Sequence, residues 1–329
     1  MNSISYGPVP SRRLGRSLGI NNIPPKICTY ACVYCQLGKT INMQVERHPF
    51  YKPEDVFQAV ADQVRKVSKR GETIDYLTFV PDGEPTLDIN LGKEIDLLRP
   101  LNISIALITN GTLLWREDVR NELAKLDWVS LKVDAVTTDL WRRIDRPHKS
   151  LDLEAILEGM LDFAANFKGV LTTETMLIKD FNDHREDIEK IVDFLLRLKP
   201  AKAYLSIPTR PPARREIEAA DEAVINMTYQ LFSGKLPGVA VEYLIGYEGN
   251  AFATTGNVEK DILGITSVHP MREEAITEFL KKMGSDWEVI DKMVSEGELV
   301  ELEYHGKRFY MRKLPDRAGL FKGTQEGEV

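Results

Sequence analysis

The sequence predicts an α/β protein: six βα units curled into a partial parallel barrel, with a small helix–helix–hairpin unit behind it. Two observations carry this. From about residue 17 to residue 207, short β-branched or apolar runs alternate with longer segments of helical period. Strands ordered in this way are joined by right-handed crossovers into one parallel sheet. Beyond residue 268 the order changes to two helices and then two alternating strands.

The strands are expected near residues 17–22, 75–80, 103–109, 128–134, 170–178 and 202–207, in runs such as LTFV, ISIALIT, VSLKV and VLTTETMLI. Amphipathic helices are expected at about 53–69, 90–99, 116–126, 151–167 and 183–198. The first opens on Pro53 with acids in its first turn and closes on Lys and Arg before Gly71, matching the helix dipole at both ends. A last barrel strand follows at about 238–248, so residues 1–245 form the barrel. The Gly-, Asn- and Thr-rich stretch GNAFATTGN marks residues 246–268 as a linker.

In the unit at 269–314, Pro270 opens a helix to about Met283, Gly284 stops it, and Ser285 starts a second helix to about Glu296. ELVELEY and KRFYMRK then form a hairpin joined at His305-Gly306. That outline is winged-helix-like, but Asp286, Glu288, Asp291 and Glu296 on the second helix would repel phosphates, which favours a substrate-presenting or lid role over DNA reading. Residues 315–329 read as a mobile tail.

All three cysteines of the 329-residue chain fall in one short segment, KICTYACVYCQLG, as Cys28, Cys32 and Cys35. Thiolates three to four residues apart suit one soft metal centre, and they are too few and too close for a disulfide framework. Zinc and cubane clusters both take four ligands, so three thiolates leave one position open to chemistry. The alternative is a zinc site closed by His48.

Cys-x3-Cys-x2-Cys with Tyr34 before the third cysteine resembles the cluster loop of the radical S-adenosylmethionine (SAM) superfamily. The resemblance implies a partial (βα)6 barrel of the radical SAM type, a [4Fe-4S] cluster, SAM chelated at the fourth iron, and a low-potential electron donor of the ferredoxin or flavodoxin type. Reductive cleavage of SAM to a 5′-deoxyadenosyl radical is then the expected chemistry. SYGPVPSRRLGRSLGIN and IPPKICTYACVYCQLGKT together resemble the branch described by similarity to tRNA wyosine-base synthases. Those enzymes carry a second cluster, for which this chain has no spare cysteine, so a wyosine-type reaction on tRNA remains an alternative.

Ligand sites of parallel α/β folds lie at the carboxyl ends of strands, where each further motif is expected to fall. Gly83-Glu84-Pro85 resembles the family's Gly-Gly-Glu-Pro element, which meets the SAM amino group, with Asp82 in place of the first glycine. By the same resemblance Thr109 and Asn110 approach the SAM carboxylate or ribose, Lys132 and Asp134 the carboxylate and ribose hydroxyls, and Ile178 and Asn182 the adenine. No residue is assigned as acid, base or second hydrogen donor.

A formal charge of −7 argues against indiscriminate nucleic-acid binding. Yet Arg142, Arg143, Arg146 and Lys149 follow the fourth strand, and Arg210, Arg214 and Arg215 the sixth, which predicts a basic mouth for an anionic substrate: a phosphorylated metabolite, a nucleotide or an RNA. Arg143 and Arg210 are the named candidates; solvated helix starts are the alternative. No run approaches the ~20 apolar residues of a membrane span, and the reading is a cytoplasmic enzyme of a reducing, oxygen-poor cell. A non-catalytic iron–sulfur or zinc regulator with a winged helix is the reading from another class.

Overall fold

In the computed structural model, which describes residues 4–245, 252, 254, 256–267 and 269–313, the chain enters on an antiparallel hairpin of β1 (Ser5–Ser11) and β2 (Gly15–Ile20). The sequence does not predict β1, whose pattern Pro8 and Pro10 interrupt. At the edge of a sheet only one row of backbone donors is needed, so the prolines are tolerated. The two-residue strands β3 (Ile27–Cys28) and β4 (Asn42–Met43) then pair in parallel and close the cysteine loop on itself.

From there helix and strand alternate: α1 (Pro53–Lys69), β5 (Tyr76–Phe79), α2 (Leu91–Leu98), β6 (Ser104–Thr109), α3 (Glu117–Leu123) and β7 (Trp128–Lys132). Then come α4 (Thr138–Ile144), α5 (Leu153–Asn166), β8 (Val170–Met176), α6 (Arg185–Leu198), β9 (Lys202–Ser206), α7 (Glu222–Lys235) and β10 (Ala240–Leu244). The strands form one curled sheet in the order β1-β2-β5-β6-β7-β8-β9-β10, parallel from β2 onward. This is the partial barrel the sequence predicts. Helices α4 and α7 were not expected; α4 is short, and its two arginines hide the buried face of Leu140, Trp141 and Ile144.

Apolar side chains of the central strands, such as Leu77, Phe79, Ile105, Leu107, Val129 and Leu131, share one core with Val56 and Val60 of α1, Ile95 of α2, and Ile188, Ile191 and Leu195 of α6. Burying such side chains is worth about 1.5–3 kcal/mol each, which makes the layer beneath the loops rigid. The loops that carry polar residues sit on the carboxyl ends of these strands.

The chain continues through α8 (Val258–Thr266), β11 (Met271–Arg272), α9 (Glu273–Met283), α10 (Glu288–Ser295), β12 (Leu299–Tyr304) and β13 (Lys307–Arg312). The small sheet is ordered β11-β13-β12, and β12 and β13 turn at His305 and Gly306, both with positive φ. Two expectations are corrected. The stretch 246–268, read as a linker, contains α8, whose Ile262 and Ile265 join Phe252, Met271, Ile276 and Phe279 in a second core that also receives Val9 of β1. Its Gly-, Asn- and Thr-rich lead-in obscured the apolar i, i+3 pair. Pro270 opens no helix either: Met271 and Arg272 pair with Tyr310 and Phe309 first, and α9 begins at Glu273. The expected tail, 315–329, lies outside the described residues.

Candidate functional site

The cysteine loop is stitched along the loop after β5. Lys26 N–H donates to the Asp82 carbonyl at 2.6 Å and Glu84 N–H to the Ile27 carbonyl at 3.0 Å, while Lys26 Nζ and Asp82 Oδ1 form a buried ion pair at 3.1 Å. Gly83 sits between them at φ +154°, and a Cβ there would lie 2.0 Å from the Ile27 carbonyl oxygen. Only glycine permits this approach. Asp82, in the place of a glycine in the resembled motif, thus anchors Lys26 and the backbone before Cys28.

Glu84 is buried and collects four donors: Thr86 N–H at 3.1 Å, Thr86 Oγ1 and Thr109 Oγ1 both at 2.6 Å, and Asn110 N–H at 2.9 Å. Its carboxyl is still raised, because burial outweighs these bonds. Asn110 in turn reaches the cysteine loop, donating through Nδ2 to Thr29 Oγ1 at 2.7 Å and lying 3.8 Å from Cys28 Sγ. Glu84 therefore braces the ends of β5 and β6 against the loop that carries the cysteines.

On the far wall Lys132 lies between two carboxylates, 3.1 Å from Glu174 Oε1 and 3.4 Å from Asp134 Oδ1, with its ammonium 5.0 Å above the Tyr34 ring. Arg13 adds a second cation to Glu174 at 2.6 Å, and Ser206 Oγ donates to it at 3.0 Å. Burial alone would raise Glu174, but Lys132 and Arg13 bring it down to about 2. Burial would likewise lower the Lys132 ammonium, yet Asp134 and Glu174 hold it above its ordinary value. Asp134 is raised by burial in spite of Lys132, which it shares; it accepts from Tyr34 Oη and from Met176 N–H at 2.7 Å.

Tyr34, Lys132, Glu174, Arg13 and Ser206 line one cavity of about 310 Å³ that also receives Cys28, Cys32, Cys35, Gly83, Thr109 and Asn110. All three thiols are free. Burial first, then Glu84 for Cys28 and Asp145 for Cys32, pushes those two thiols up in the metal-free protein, so ligation must displace their protons. Among the described residues no three Cys, His, Asp or Glu side chains gather as a single-ion site. Ligands of a four-iron cluster each take a different iron and need only face a common space, which these three cysteines do. His48 belongs to no such set: it is exposed, against Phe50.

Four expectations change. Ile178 is fully buried in the main core, and the Asn182 side chain accepts from Ile178 N–H while donating to the carbonyls of Asp134 and Met176. Neither lines the cavity, because their loop folds inward onto its own backbone. Asp134 braces Tyr34 and Lys132 instead of presenting its carboxylate to the cavity. Arg143 points outward, donating to the Asp180 carbonyl at 3.0 Å and stacking 5.1 Å from Phe181. Arg210 does line the cavity.

Sequence reasoning missed Arg13, Glu174, Arg272 and Phe309, all on the cavity wall. Glu174 carried a signal, being the one acid inside the strand run VLTTETM. Arg272 and Phe309 carried none, since their approach depends on how the second core packs.

The radical SAM superfamily model matches residues 22–195, a span that holds the three cysteines, Gly83-Glu84-Pro85 and Lys132. The chain belongs to the radical SAM superfamily. It is 52% identical over 315 residues to a UPF0026 protein of Methanocaldococcus jannaschii, covering 96% of this chain and 98% of that one. Among solved structures it is similar to a radical SAM methyltransferase from Sphaerobacter thermophilus, with a TM-score of 0.54 and 16% identity over 69% of this chain and 66% of that one. It is also similar to TYW1 with a lysine–pyruvate adduct bound, with a TM-score of 0.51 and 20% identity over 67% of this chain and 73% of that one. At such identities these two likenesses show the fold. As a radical SAM enzyme the chain uses a [4Fe-4S] cluster and SAM, and the cavity's thiols and glycine cradle fit both. Among the described residues no helix is long and apolar enough to cross a membrane.

Proposed function

We propose that this radical SAM enzyme abstracts hydrogen from an anionic substrate held by the arginines that line the cysteine cavity. The observation that carries the reading is the composition of that one space: three thiols, the Gly83 cradle and Lys132, together with Arg13, Arg210 and Arg272, all line it. Cys28, Cys32 and Cys35 would hold the cluster. When bound, the cluster supplies the electron that splits SAM into methionine and a 5′-deoxyadenosyl radical.

The protein's own residues bind and orient. Gly83 lets backbone oxygens approach the SAM amino group; Thr109 and Asn110, fixed by Glu84, and Lys132, fixed by Glu174, face the carboxylate and ribose side. Tyr34, pinned by Asp134, holds the cysteine loop against that wall. Phe309 and Arg272, the latter stacked 5.5 Å from the former, bring the second unit into the cavity wall, where they would exclude water. Residues 269–313 thus act as a lid in this reading, with the winged-helix-like outline serving the barrel. An RNA of the kind a wyosine-type enzyme modifies is the second substrate class, supported by the arginines but given no second cluster by the cysteines.

The test is anaerobic reconstitution followed by metabolite and RNA mass spectrometry of a deletion strain. The wild type should take up about four irons per chain and, when reduced, cleave SAM. Cys28→Ala, Cys32→Ala and Cys35→Ala should each abolish this outright, because no other thiolate exists. One iron-replete, SAM-cleaving cysteine variant would end the ligand assignment.

A further inference from the structure

A second hollow, of about 630 Å³, lies against the other side of the cysteine loop and shares only Cys32 with the lining of the first. Its wall carries Lys39, Arg142, Arg146, Lys149 and Arg214, and no acidic residue. Arg214 is 3.5 Å from Glu216 in an exposed pair, whereas the other four are exposed and make no ion pair among the described residues. On a chain of formal charge −7, this is a concentrated field of the opposite sign.

The hollow is rigidly tied to the cysteines. Ala31 N–H donates to the Asp145 and Arg146 carbonyls at 3.0 and 3.3 Å, Val33 N–H to Ile144 at 2.9 Å, His148 N–H to Thr29 at 2.9 Å, and Arg214 N–H to Val33 at 3.2 Å. Arg146 is held at φ +47°, a backbone conformation a non-glycine residue keeps only when its surroundings impose it. Whatever docks on these cations is therefore positioned against Cys32. It is also separated from Gly83, Glu84 and Lys132, which line the other cavity only.

We propose that this hollow docks an acidic, low-potential one-electron carrier protein, flavodoxin- or ferredoxin-like, which feeds the cluster from the side opposite SAM. The inference rests on the cluster reading above. One electron leaves the reduced carrier, which is oxidised, and is received at the cluster, which is reduced; no bond forms or breaks and no proton moves. An RNA substrate is disfavoured as the occupant because a base seated here would meet Cys32 and not the SAM-facing wall.

Calorimetric titration of the full chain, cluster-free and reconstituted, with an oxidised flavodoxin gives a readout independent of turnover. Binding should weaken steeply from low to physiological salt, and the double charge reversal Arg146→Glu with Lys149→Glu should weaken it about tenfold or more, while Lys66→Glu on α1 changes nothing. In the reconstituted protein, cluster reduction by the reduced flavodoxin should slow to match and reduction by dithionite should not. Carrier binding unchanged in the double variant overturns the proposal, as does loss of affinity for bulk tRNA with carrier binding intact. Failure of the wild type to assemble any cluster, with carrier binding to the cluster-free chain retained, sinks the cluster reading and leaves the dock standing.

Discussion

Arg210 and His269, far apart in sequence, meet beside the second core: Arg210 Nη2 lies 3.2 Å from both ring nitrogens of His269, and Nη1 donates to Gln36 Oε1 at 2.7 Å. Burial first, and then the guanidinium itself, hold His269 well below its ordinary value, so the ring is neutral and accepts. Gln36 follows Cys35 directly. One side chain thus joins the second core to the loop of cysteines.

Arg210→Ala should loosen both partners. Amide exchange should quicken at residues 35–38 and 269–272, with about 1–2 kcal/mol lost from unfolding stability for the charged hydrogen bonds removed. Exchange unchanged at either segment would show that Arg210 does not couple them. A truncation at residue 268 is a poorer test of the proposed lid role, because it would cut through the core that Phe252, Ile262 and Ile265 share with α9.

Gly83→Val should weaken SAM binding, but not that alone. The new Cβ meets the carbonyl of Ile27, the residue before Cys28, and the φ of +154° disfavours any side chain. Iron content after reconstitution should fall together with SAM affinity measured by calorimetry. Full iron loading with only the SAM affinity reduced would mean that the loop yields without disturbing Cys28.

Glu94 is fully buried in α2 beside Asp88, and neither of its carboxyl oxygens has a hydrogen-bond partner within ordinary distance. Burial, then the Asp88 charge, pushes it up to about 9, and burial raises Asp88 to about 6. A carboxyl whose native value exceeds its unfolded one favours folding at low pH, and that contribution is lost as pH rises through the native value. Wild-type stability should therefore decline from about pH 4.5 towards pH 9. Glu94→Gln should remove most of that slope and be about 4 kcal/mol more stable than wild type at pH 8, with little difference at pH 5. Thermal melts across this range decide it; equal slopes would mean that Glu94 ionises as an ordinary surface acid does.

The Cys28-Cys32-Cys35 spacing, the order of strands and helices, and the bounds of α1 were legible in the sequence because each is written within a few turns of chain: a ligand spacing, a period, a cap. Gly83 was legible for the same reason, as a glycine beside Pro85 after a strand. Asp134, Asn182 and Arg143 were misread because motif position says that a residue is near a site, not where its side chain finds a partner. The tertiary structure decided that. It turned Asp134 and Asn182 inward to satisfy buried donors and carbonyls, set Glu174 between Lys132 and Arg13, and brought Arg272 and Phe309 into the cavity wall. It also folded α8 into a second core and gathered five cations behind Cys32. These arrangements depend on contacts between residues tens to hundreds of positions apart, and no local period encodes them.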